Sequence, residues 1–390
     1  MARVLILKCE NYQPNELKAK IEKIFSYFPQ AVKPNEKILI KPNLLSAHLP
    51  EETVTTHPEF VRVVAKVIKN IGAQPTIGDS PSGIEKVEKV WEITGMKKIA
   101  QEENIELVNF THSSVREFSS QNFPGKKIYL TDAAFEVDGI ISLPKLKTHG
   151  LTTFTTGIKN LYGLVPGMIK TDYHRLAYNS QLFAQLLSEI LTVVKPRLTI
   201  TDGIVGMDGN GPVAGRIRNF GLILASDDVV ALDTVVCEII GLKKEFVPLL
   251  KFCEDKKLGE TNLDIIEIIG EKLKESKIKD FLLPPAHVAN YVPLWLGNIL
   301  TEFIWFRPGI NQTKCELCLK CYESCPVKAI KLISSANRGR KEKKYLWIDH
   351  KECINCFCCS EVCPYGAVET EQSIPMKLVR ILQSLKTRFI

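Results

Sequence analysis

Two runs of cysteines near the C-terminus have the residue types and spacing that most directly specify chemistry. The first run is Cys315-Glu-Leu-Cys318-Leu-Lys-Cys321-Tyr-Glu-Ser-Cys325-Pro326. The second run is Cys353-Ile-Asn-Cys356-Phe-Cys-Cys359-Ser-Glu-Val-Cys363-Pro364. Both read C-x2-C-x2-C-x3-C-P, and Cys353 follows Cys315 by 38 positions, as every other ligand position follows its counterpart. The two runs therefore form an internal repeat.

Thiolates at this spacing are typical ligands of cubane 4Fe-4S clusters. Three cysteines of one run bind three irons of one cluster, and the cysteine before proline binds the cluster of the other run. The predicted ligands of the first cluster are Cys315, Cys318, Cys321 and Cys363. Those of the second cluster are Cys325, Cys353, Cys356 and Cys359. Cys358 departs from the repeat and is predicted to be a spare thiol beside a cluster.

Zinc and disulfide bonds are the alternative uses of paired cysteines. Structural zinc sites usually contain two C-x2-C pairs rather than two runs of four thiols. A chain of 390 residues does not need disulfide bonds to fold, and its N-terminus lacks the apolar core of a signal peptide. We therefore expect a cytoplasmic protein with bound metal. Cys9, Cys237 and Cys253 fall in strand or helix patterns and are predicted core thiols.

The cysteine repeat resembles the bacterial two-cluster ferredoxin family over about residues 309–372. The resemblance implies a small α+β two-cluster ferredoxin-like domain that transfers electrons. A redox partner protein is then expected, because single electrons have to enter or leave through another carrier.

Upstream of the repeat, short apolar runs of strand character alternate with amphipathic segments of helical period. The predicted strands are residues 3–9, 37–41, 75–78, 105–110, 137–143, 198–201 and 222–225. Predicted helices include 58–71, a helix from 84 to 94 directly after Gly83, 176–194, 229–240 and 246–256. This alternation predicts an α/β domain over residues 1–285, with a mainly parallel sheet and helices on both faces.

Ligands of such sheets bind beyond the carboxyl ends of the strands, and here those segments are rich in polar residues. The candidate substrate-binding residues are Lys41, Asn43, His57, Asp79, Ser80, Lys145, Lys147, Lys159, Asn160, Lys170, Asp202 and Asn210. Lysines brought into one cleft repel one another, so a bound carboxylate or phosphate is expected to offset their charge. The helix after Gly83 would offer backbone N–H groups to that anion. Scattered surface lysines are the alternative.

Two histidines in these segments, His149 and His174, are candidate catalytic acid–base groups, because imidazole titrates near neutral pH. A hydrogen-bonding role is the alternative for each of them. Asp79, Asp202 and Asp208 could also bind a divalent cation or cap turns. The loop from Gly206 to Gly215 matches neither G-x-G-x-x-G nor a Walker A loop, so the sequence predicts no NAD or ATP site. It does not decide whether a flavin binds.

These segments, together with Asp228-Val-Val-Ala-Leu-Asp233, resemble the family catalogued as domain of unknown function 362. The resemblance covers about residues 3–260, and members of that family are often fused to a ferredoxin module. It implies an architecture and candidate positions, and it assigns no reaction.

Residues 286–308 are predicted to form an apolar interdomain linker, because Pro, Asn and Glu residues interrupt it too often for a membrane span. Residues 373–390 are predicted to form an amphipathic basic helix that packs on the protein or contacts a membrane surface, through residues 374–390. The basic residues from Arg338 to Lys344 are predicted to be a solvated hairpin tip, with docking of an acidic protein as the alternative. No aromatic residues interleave them, so nucleic acid is not an expected partner.

Three functions remain open at this point. The protein could be a reductase that passes electrons from two 4Fe-4S clusters to an anionic small molecule. It could also be a redox adaptor that docks to a partner complex without chemistry of its own. In the third function it binds a metabolite, and the clusters only hold the tail in place. Fusion of a two-cluster carrier to a pocket-forming domain favours the reductase.

Overall fold

The computed structural model describes residues 1–82, 85–284, 287, 305–335 and 343–375. The strands of the N-terminal domain are β1 (Arg3–Lys8), β2 (Lys37–Pro42), β3 (Gln74–Asp79), β4 (Glu106–Asn109), β5 (Val115–Ser119), β6 (Lys127–Thr131), β7 (Gly139–Leu143), β8 (Lys145–His149), β9 (Thr153–Thr155), β10 (Leu198–Asp208), β11 (Arg216–Ser226) and β12 (Glu267–Gly270).

Helices of the same domain follow β1, β2, β3, β9 and β11. They are α1 (Pro14–Tyr27), α2 (Pro58–Asn70), α3 (Val87–Ile93), α4 (Met96–Glu102), α5 (Gly157–Asn160), α6 (Ile169–Leu176), α7 (Ser180–Val193), α8 (Val229–Ile239) and α9 (Pro248–Asp255). Single turns of 3-10 helix lie at Pro50–Glu52, Asp132–Ala134, Leu161–Leu164, Lys244–Phe246 and Leu263–Ile265. None of the helices within the described ranges combines the length and apolar character that crossing a bilayer requires.

The main sheet has ten strands, eight of them in the order β12-β1-β11-β10-β7-β2-β3-β4. Every neighbouring pair in this order is parallel except the two pairs made by β11. β8 pairs in parallel with the C-terminal part of β10, between Asp202 and Met207, and β9 runs antiparallel to β8. The hairpin of β5 and β6 is separate from this sheet. The prediction of a mainly parallel sheet is confirmed.

Both faces of the sheet are covered, as the continuous apolar strands predict. Along β1, Val4 and Ile6 point into one core and Leu5 and Leu7 into the other, because successive side chains of a strand alternate in direction. The first core contains the apolar residues of α7, α8 and α9, and the second contains those of α1 and α2. The three predicted core thiols are buried.

Two segments near the candidate site differ from the prediction. Helix α3 begins at Val87 and not directly after Gly83, because Lys86 is extended and the Glu85 carboxylate accepts a hydrogen bond from the Ala47 backbone N–H. Residues 83 and 84 lie outside the described residues. Residues 145–149 form the strand β8 rather than a loop, because they pair with an extended β10 that continues to Asp208.

The C-terminal domain comprises β13 (Phe306–Ile310), α10 (Lys320–Glu323), β14 (Ile330–Ser335), β15 (Lys343–Ile348), α11 (Cys358–Glu361) and β16 (Val368–Gln372). β13 pairs with β16 and β14 pairs with β15, both antiparallel. β13 begins inside the predicted linker, so the domain starts earlier than the cysteine pattern indicates. Most of that linker (286 and 288–304), the hairpin tip (336–342) and residues 376–390 lie outside the described residues.

Candidate functional site

The two predicted sets of cluster ligands surround two separate spaces in the C-terminal domain. Cys315, Cys318, Cys321 and Cys363 line a space of about 260 Å³. Cys325, Cys353, Cys356 and Cys359 line a space of about 310 Å³. Each space thus takes three cysteines from one run and the cysteine before proline from the other. The ligand assignment stays a prediction, and this grouping supports it.

The backbone around both spaces repeats as the sequence does. The left-handed residues Leu319 (φ 63°) and Phe357 (φ 60°) occupy equivalent places immediately before α10 and α11. The backbone N–H groups of Ala329 and Ala367 lie 3.2 and 3.3 Å from the sulfurs of Cys325 and Cys363 and donate to them. Eight thiols in two sets, with N–H donors to sulfur, are the chemistry that two 4Fe-4S clusters require.

A third cavity lies between the α/β domain and the ferredoxin-like domain. Its empty space, including the open mouth, measures about 650 Å³. Ser324, Cys358, Glu361 and Val362 form its wall on the ferredoxin-like side. The candidate residues that line it from the α/β side are Lys41, Asn43, Asp79, Ser80, Lys159, Asn160, Lys170 and His174. Segments distant in the sequence thus meet at one edge of the sheet, facing the cluster domain.

Lys41 lines this cavity, but its ammonium group is fully engaged by the protein. Its Nζ atom donates to Asp79 Oδ1 at 2.9 Å, to the Pro42 carbonyl at 3.0 Å and to Asn160 Oδ1 at 3.4 Å. A side chain at Gly163 would displace the ends of the Asp79 and Lys41 side chains and disturb this ion pair. Lys41 therefore fixes the position of Asn160 and Asp79 and has no N–H left for a ligand.

Lys170 is partly engaged. Its Nζ atom donates to the carbonyl oxygens of Ser80 and Pro81, the latter at 3.2 Å, and one N–H remains. Burial lowers its pKa to about 7, and the carboxylate of Asp79 only partly offsets this effect. Lys170 can therefore donate one hydrogen bond to a ligand while it holds the chain at Ser80.

Lys159 is buried on the cavity wall, and its ammonium group has no hydrogen-bond partner in the part of the chain that the structure describes. The Nζ atom lies 4.8 Å from the ring centre of Tyr162 and 5.4 Å from that of Phe183, where the aromatic faces stabilise a cation. Burial and the charge of Lys41 lower its pKa, whereas Glu361 raises it. An ammonium group on the cavity wall without a protein acceptor is available to an anionic ligand, and a hydrogen bond to a charged group is a strong one.

Asp233 on α8 positions Lys159. Its carboxylate accepts hydrogen bonds from Thr156 Oγ1 at 2.5 Å, from the Gly157 N–H at 2.9 Å and from the Ile158 N–H at 3.0 Å. These groups are the start of α5, which carries Lys159 and Asn160 at its other end. Burial raises the pKa of Asp233 to about 6 against the effect of these hydrogen bonds.

His174 is buried, stacks on Phe183 with ring centres 4.8 Å apart and contacts the edge of Tyr162. Its Nδ1 atom has no hydrogen-bond partner in the described structure. Burial lowers its pKa to about 4, so the ring is neutral at neutral pH. A neutral imidazole with a free nitrogen beside the cavity can bind a ligand atom or hold a proton.

His149 does not line the cavity and reaches it through Glu361. Its Nδ1 atom accepts hydrogen bonds from the N–H groups of Leu151 and Thr152, so the neutral ring carries its proton on Nε2. Nε2 lies 2.9 Å from Glu361 Oε1, although the two atoms are not aligned as a hydrogen bond. Burial opposes ionisation of Glu361, but His149, His174 and Lys159 outweigh burial and lower its pKa.

Three other candidates form a separate buried cluster. Lys145 Nζ lies 2.8 Å from Asp202 Oδ2 and 2.9 Å from the Tyr12 hydroxyl, which donates to Asp202 Oδ1 at 2.8 Å. His57 stacks on Tyr12 and donates its backbone N–H to the Asp202 carboxylate. The cluster satisfies its own charges, and none of its members lines the cavity.

Lys147 and Asn210 also lie outside the cavity wall. The Lys147 ammonium is buried, donates to the Val54 carbonyl, and has its pKa lowered to about 7 by burial and by the charge of Lys159. Asn210 accepts a hydrogen bond from Thr370 Oγ1 at 3.3 Å, which ties the two domains together. Both stay predictions as substrate-binding residues, and the geometry does not support them.

Sequence reasoning missed four residues of this site: Tyr162, Asp233, Cys358 and Glu361. Two of them had a signal in the sequence: Cys358 departs from the cysteine repeat, and Asp233 ends a segment that carries the family resemblance. Glu361 lies at a position that the first run also fills with glutamate, Glu323, which is exposed. Nothing in the sequence alone shows which of the two faces the other domain.

Two family models match the chain. The family described as domain of unknown function (DUF362) matches residues 38–238, and a 4Fe-4S dicluster domain matches residues 314–367. The second match, with the two sets of cysteines, shows that the protein binds two 4Fe-4S clusters and supports electron transfer through them.

Two similar proteins are known by name. A thylakoid-associated protein of Synechocystis sp. is 33% identical over 266 residues, which are 67% of this chain and 82% of that protein. An uncharacterized protein from the rpl9–rpl11 intergenic region of Porphyra purpurea is 37% identical over 72 residues, which are 18% of this chain and 93% of that protein.

Among solved structures, a Thermotoga maritima protein has a TM-score of 0.36 and 15% identity over 52% of each chain. The lactate racemase apoprotein of Thermoanaerobacterium thermosaccharolyticum has a TM-score of 0.37 and 12% identity, over 58% of this chain and 54% of that chain. This chain thus spans little more than half the length of either structure.

Proposed function

The chain belongs to the family described as domain of unknown function 362, joined here to a 4Fe-4S dicluster domain. We propose that it is an iron–sulfur reductase that acts on an anionic small molecule. The substrate binds in the cavity between the two domains. One observation carries the proposal: a single cavity has Lys159 on one wall and Cys358 on the other. Cys358 lies between Cys356 and Cys359, two predicted ligands of the second cluster.

The residues of the α/β domain supply binding and orientation. Lys159 offers three free N–H donors and Lys170 one, so a carboxylate or phosphate oxygen has partners on two sides. Two contacts hold α5, and with it Lys159, in place. Asp233 accepts a hydrogen bond from the Gly157 N–H at the start of the helix, and Lys41 donates to Asn160 at its end. A site organised before the ligand arrives costs less binding energy on association.

The clusters, when bound, supply single electrons next to this site, and reduction of an organic substrate also consumes protons. His174 lines the cavity with a free Nδ1 atom, and a bound anion favours the protonated ring, so His174 is the residue best placed to carry a proton to the substrate. His149 acts on the site indirectly, by fixing the Glu361 carboxylate across the domain boundary.

The proposal is tested on protein purified without oxygen together with any small molecule that it retains. The retained molecule is identified by mass spectrometry, and protein reduced with dithionite and freed of excess reductant is mixed with it. We expect reoxidation of the clusters and a reduced product in proportion to the electrons lost. A retained anion that binds but never accepts electrons overturns the reductase and leaves a metabolite-dependent redox adaptor.

Two partners are part of the proposal. A protein electron carrier reduces the clusters, because the substrate in the cavity takes electrons from them and another molecule has to replace those electrons. Residues 374–390 contact a membrane surface peripherally. Two observations support contact with a membrane. The tail has the apolar series Leu378, Leu382 and Phe389 beside basic residues, and one relative is named as thylakoid-associated.

A further inference from the structure

Cys358 is the residue of the second cysteine run that the repeat does not explain. Its counterpart in the first run, 38 positions earlier, is Lys320. The Lys320 ammonium forms an ion pair with Glu85 of the α/β domain, so this position faces the domain boundary in both runs. A cluster needs no thiol here, yet Cys358 holds a buried thiol at the cavity between the domains.

The surroundings of this thiol are polar. A free buried cysteine usually packs as a small apolar residue, whereas Cys358 shares its cavity with Lys159 and Glu361. Two further observations indicate a ligand beside it. His174 and Lys159 line the same cavity: the Nδ1 atom of His174 is buried without a hydrogen-bond partner in the described structure, and the Lys159 ammonium has no protein acceptor there. Buried polar groups are rarely left without partners, so ligand atoms are expected between these walls.

We propose that Cys358 is a substrate-contacting thiol: the anion that Lys159 binds lies against the Cys358 sulfur. The thiol is then the group by which the ferredoxin-like domain touches the substrate. This inference rests on the anion site of the proposed function and adds the residue that completes it. Solvent reaches the cavity, because Asn43, Leu45, Ser82 and Thr171 on its wall are partly exposed.

Iodoacetate and iodoacetamide test the contact, because the first reagent is a small carboxylate and the second is its neutral analogue. In both reactions the cysteine sulfur forms a bond to the reagent carbon, the carbon–iodine bond breaks, iodide leaves and the thiol proton passes to solvent. The ratio of the two rates cancels the reactivity of the thiol itself. It reports only how strongly the site favours the anionic reagent.

The measurement uses the holoprotein without oxygen, with labelling at residue 358 followed by peptide mass spectrometry and cluster absorbance recorded throughout. We expect iodoacetate to label Cys358 faster than iodoacetamide. Lys159→Met should lower the ratio of the rates about tenfold, as loss of a hydrogen bond to a charged group implies. Lys244→Met, which removes a lysine that pairs with Glu254 away from the cavity, should leave the ratio unchanged.

Acetate provides the second measurement. Binding of acetate to the native state should raise the melting temperature of wild type and of Cys358→Ser, but not of Lys159→Met. If neither reagent labels residue 358 while acetate still stabilises the protein through Lys159, the thiol contact is wrong and the anion site stands. If iodoacetate has no advantage and acetate no Lys159-dependent effect, the anion site itself is wrong, and both proposals fall.

Discussion

The Nε2 atom of His149 lies 2.9 Å from the Oε1 atom of Glu361, across the boundary between the α/β domain and the ferredoxin-like domain. Both side chains are buried, and Glu361 also lines the cavity that Lys159 and His174 share. The cluster domain therefore contributes a second carboxylate, besides Asp79, to a cavity that also contains Lys41, Lys159 and Lys170. This contact makes the site depend on how the two domains dock.

Glu361 and its repeat counterpart Glu323 give a matched pair of variants. Glu361→Gln removes the carboxylate charge that faces the His149 Nε2 atom and the Lys159 ammonium, and we expect it to lower the free energy of unfolding by on the order of 2 kcal/mol. Glu323 is exposed, so Glu323→Gln should change the free energy of unfolding by less than about 0.5 kcal/mol. Thermal unfolding of the two holoproteins checks this, and equal effects would show that Glu361 does not join the domains.

Asp233 lies on α8 and Asp228 caps the N-terminus of that helix, and each carboxylate accepts three hydrogen bonds. Those of Asp228 come from Val230, Ala231 and Glu260, away from the cavity. Either change to asparagine should cost about 1 kcal/mol of stability. Only Asp233→Asn should weaken anion binding, because only Asp233 holds α5. Thermal shifts with acetate and phosphate measure this, and equal weakening in both variants would contradict the positioning role.

The Asp233 carboxylate also makes the stability of the protein depend on pH. Burial raises the native pKa of Asp233 to about 6 from its ordinary value of 3.8, so the native state binds a proton more readily than the unfolded chain. Asp233 therefore makes the free energy of unfolding decrease as pH rises through the window from about 4 to about 6. Urea unfolding across that window should show the slope in wild type and a smaller one in Asp233→Asn. An unchanged slope in Asp233→Asn would show that other titrating groups cause the pH dependence.

The cysteine assignment predicts iron content. The holoprotein should contain about eight irons and eight sulfides. Cys358→Ser should keep that number, whereas Cys356→Ser should lose one cluster or its stability, because only Cys356 belongs to a predicted ligand set. Iron and acid-labile sulfide analysis with cluster absorbance measures both variants. Equal losses, or tetrahedral zinc in place of iron, would contradict the ligand sets.

The tail prediction concerns residues 374–390. A chain that ends at residue 373 should unfold as the full chain does and should lose its binding to anionic liposomes, because the proposed role of the tail is contact with a membrane surface. A less stable shortened chain would show instead that Leu378, Leu382 and Phe389 pack on the protein, since each buried large apolar side chain contributes about 1.5 to 3 kcal/mol. Flotation and thermal unfolding of the two chains distinguish these outcomes.

The sequence predicted those parts of the molecule that follow from local patterns. Alternating apolar runs predicted the parallel sheet, and the rule that ligands lie at strand ends led to Lys159 and Lys170, which the structure places at one cavity. The same rule also selected Lys145 and Asp202, which instead neutralise each other inside the sheet. Lysine in a strand-end segment looks alike in the sequence whether it faces a cavity or an internal carboxylate.

Contacts across the domain boundary were not predictable. Cys358 and Glu361 reach the cavity only because α11 docks against the α/β domain, and that docking depends on tertiary packing such as Phe357 against Gly150. The start of α3 was misplaced for a similar reason. The Glu85 side chain bonds to Ala47 and Lys320, and these distant contacts keep the backbone extended where the local pattern favours a helix.

The central claim is that a molecule bound at Lys159 takes electrons from the clusters, and stopped-flow reoxidation tests it most directly. Wild type, Lys159→Met and Lys244→Met are reduced without oxygen and mixed with the molecule that the wild-type protein retains. We predict that wild type and Lys244→Met, whose lysine pairs with Glu254 away from the cavity, are reoxidised at similar rates, and that Lys159→Met at low ligand concentration is about tenfold slower or more. Equal rates for all three proteins, or clusters that stay reduced in wild type, would contradict the account.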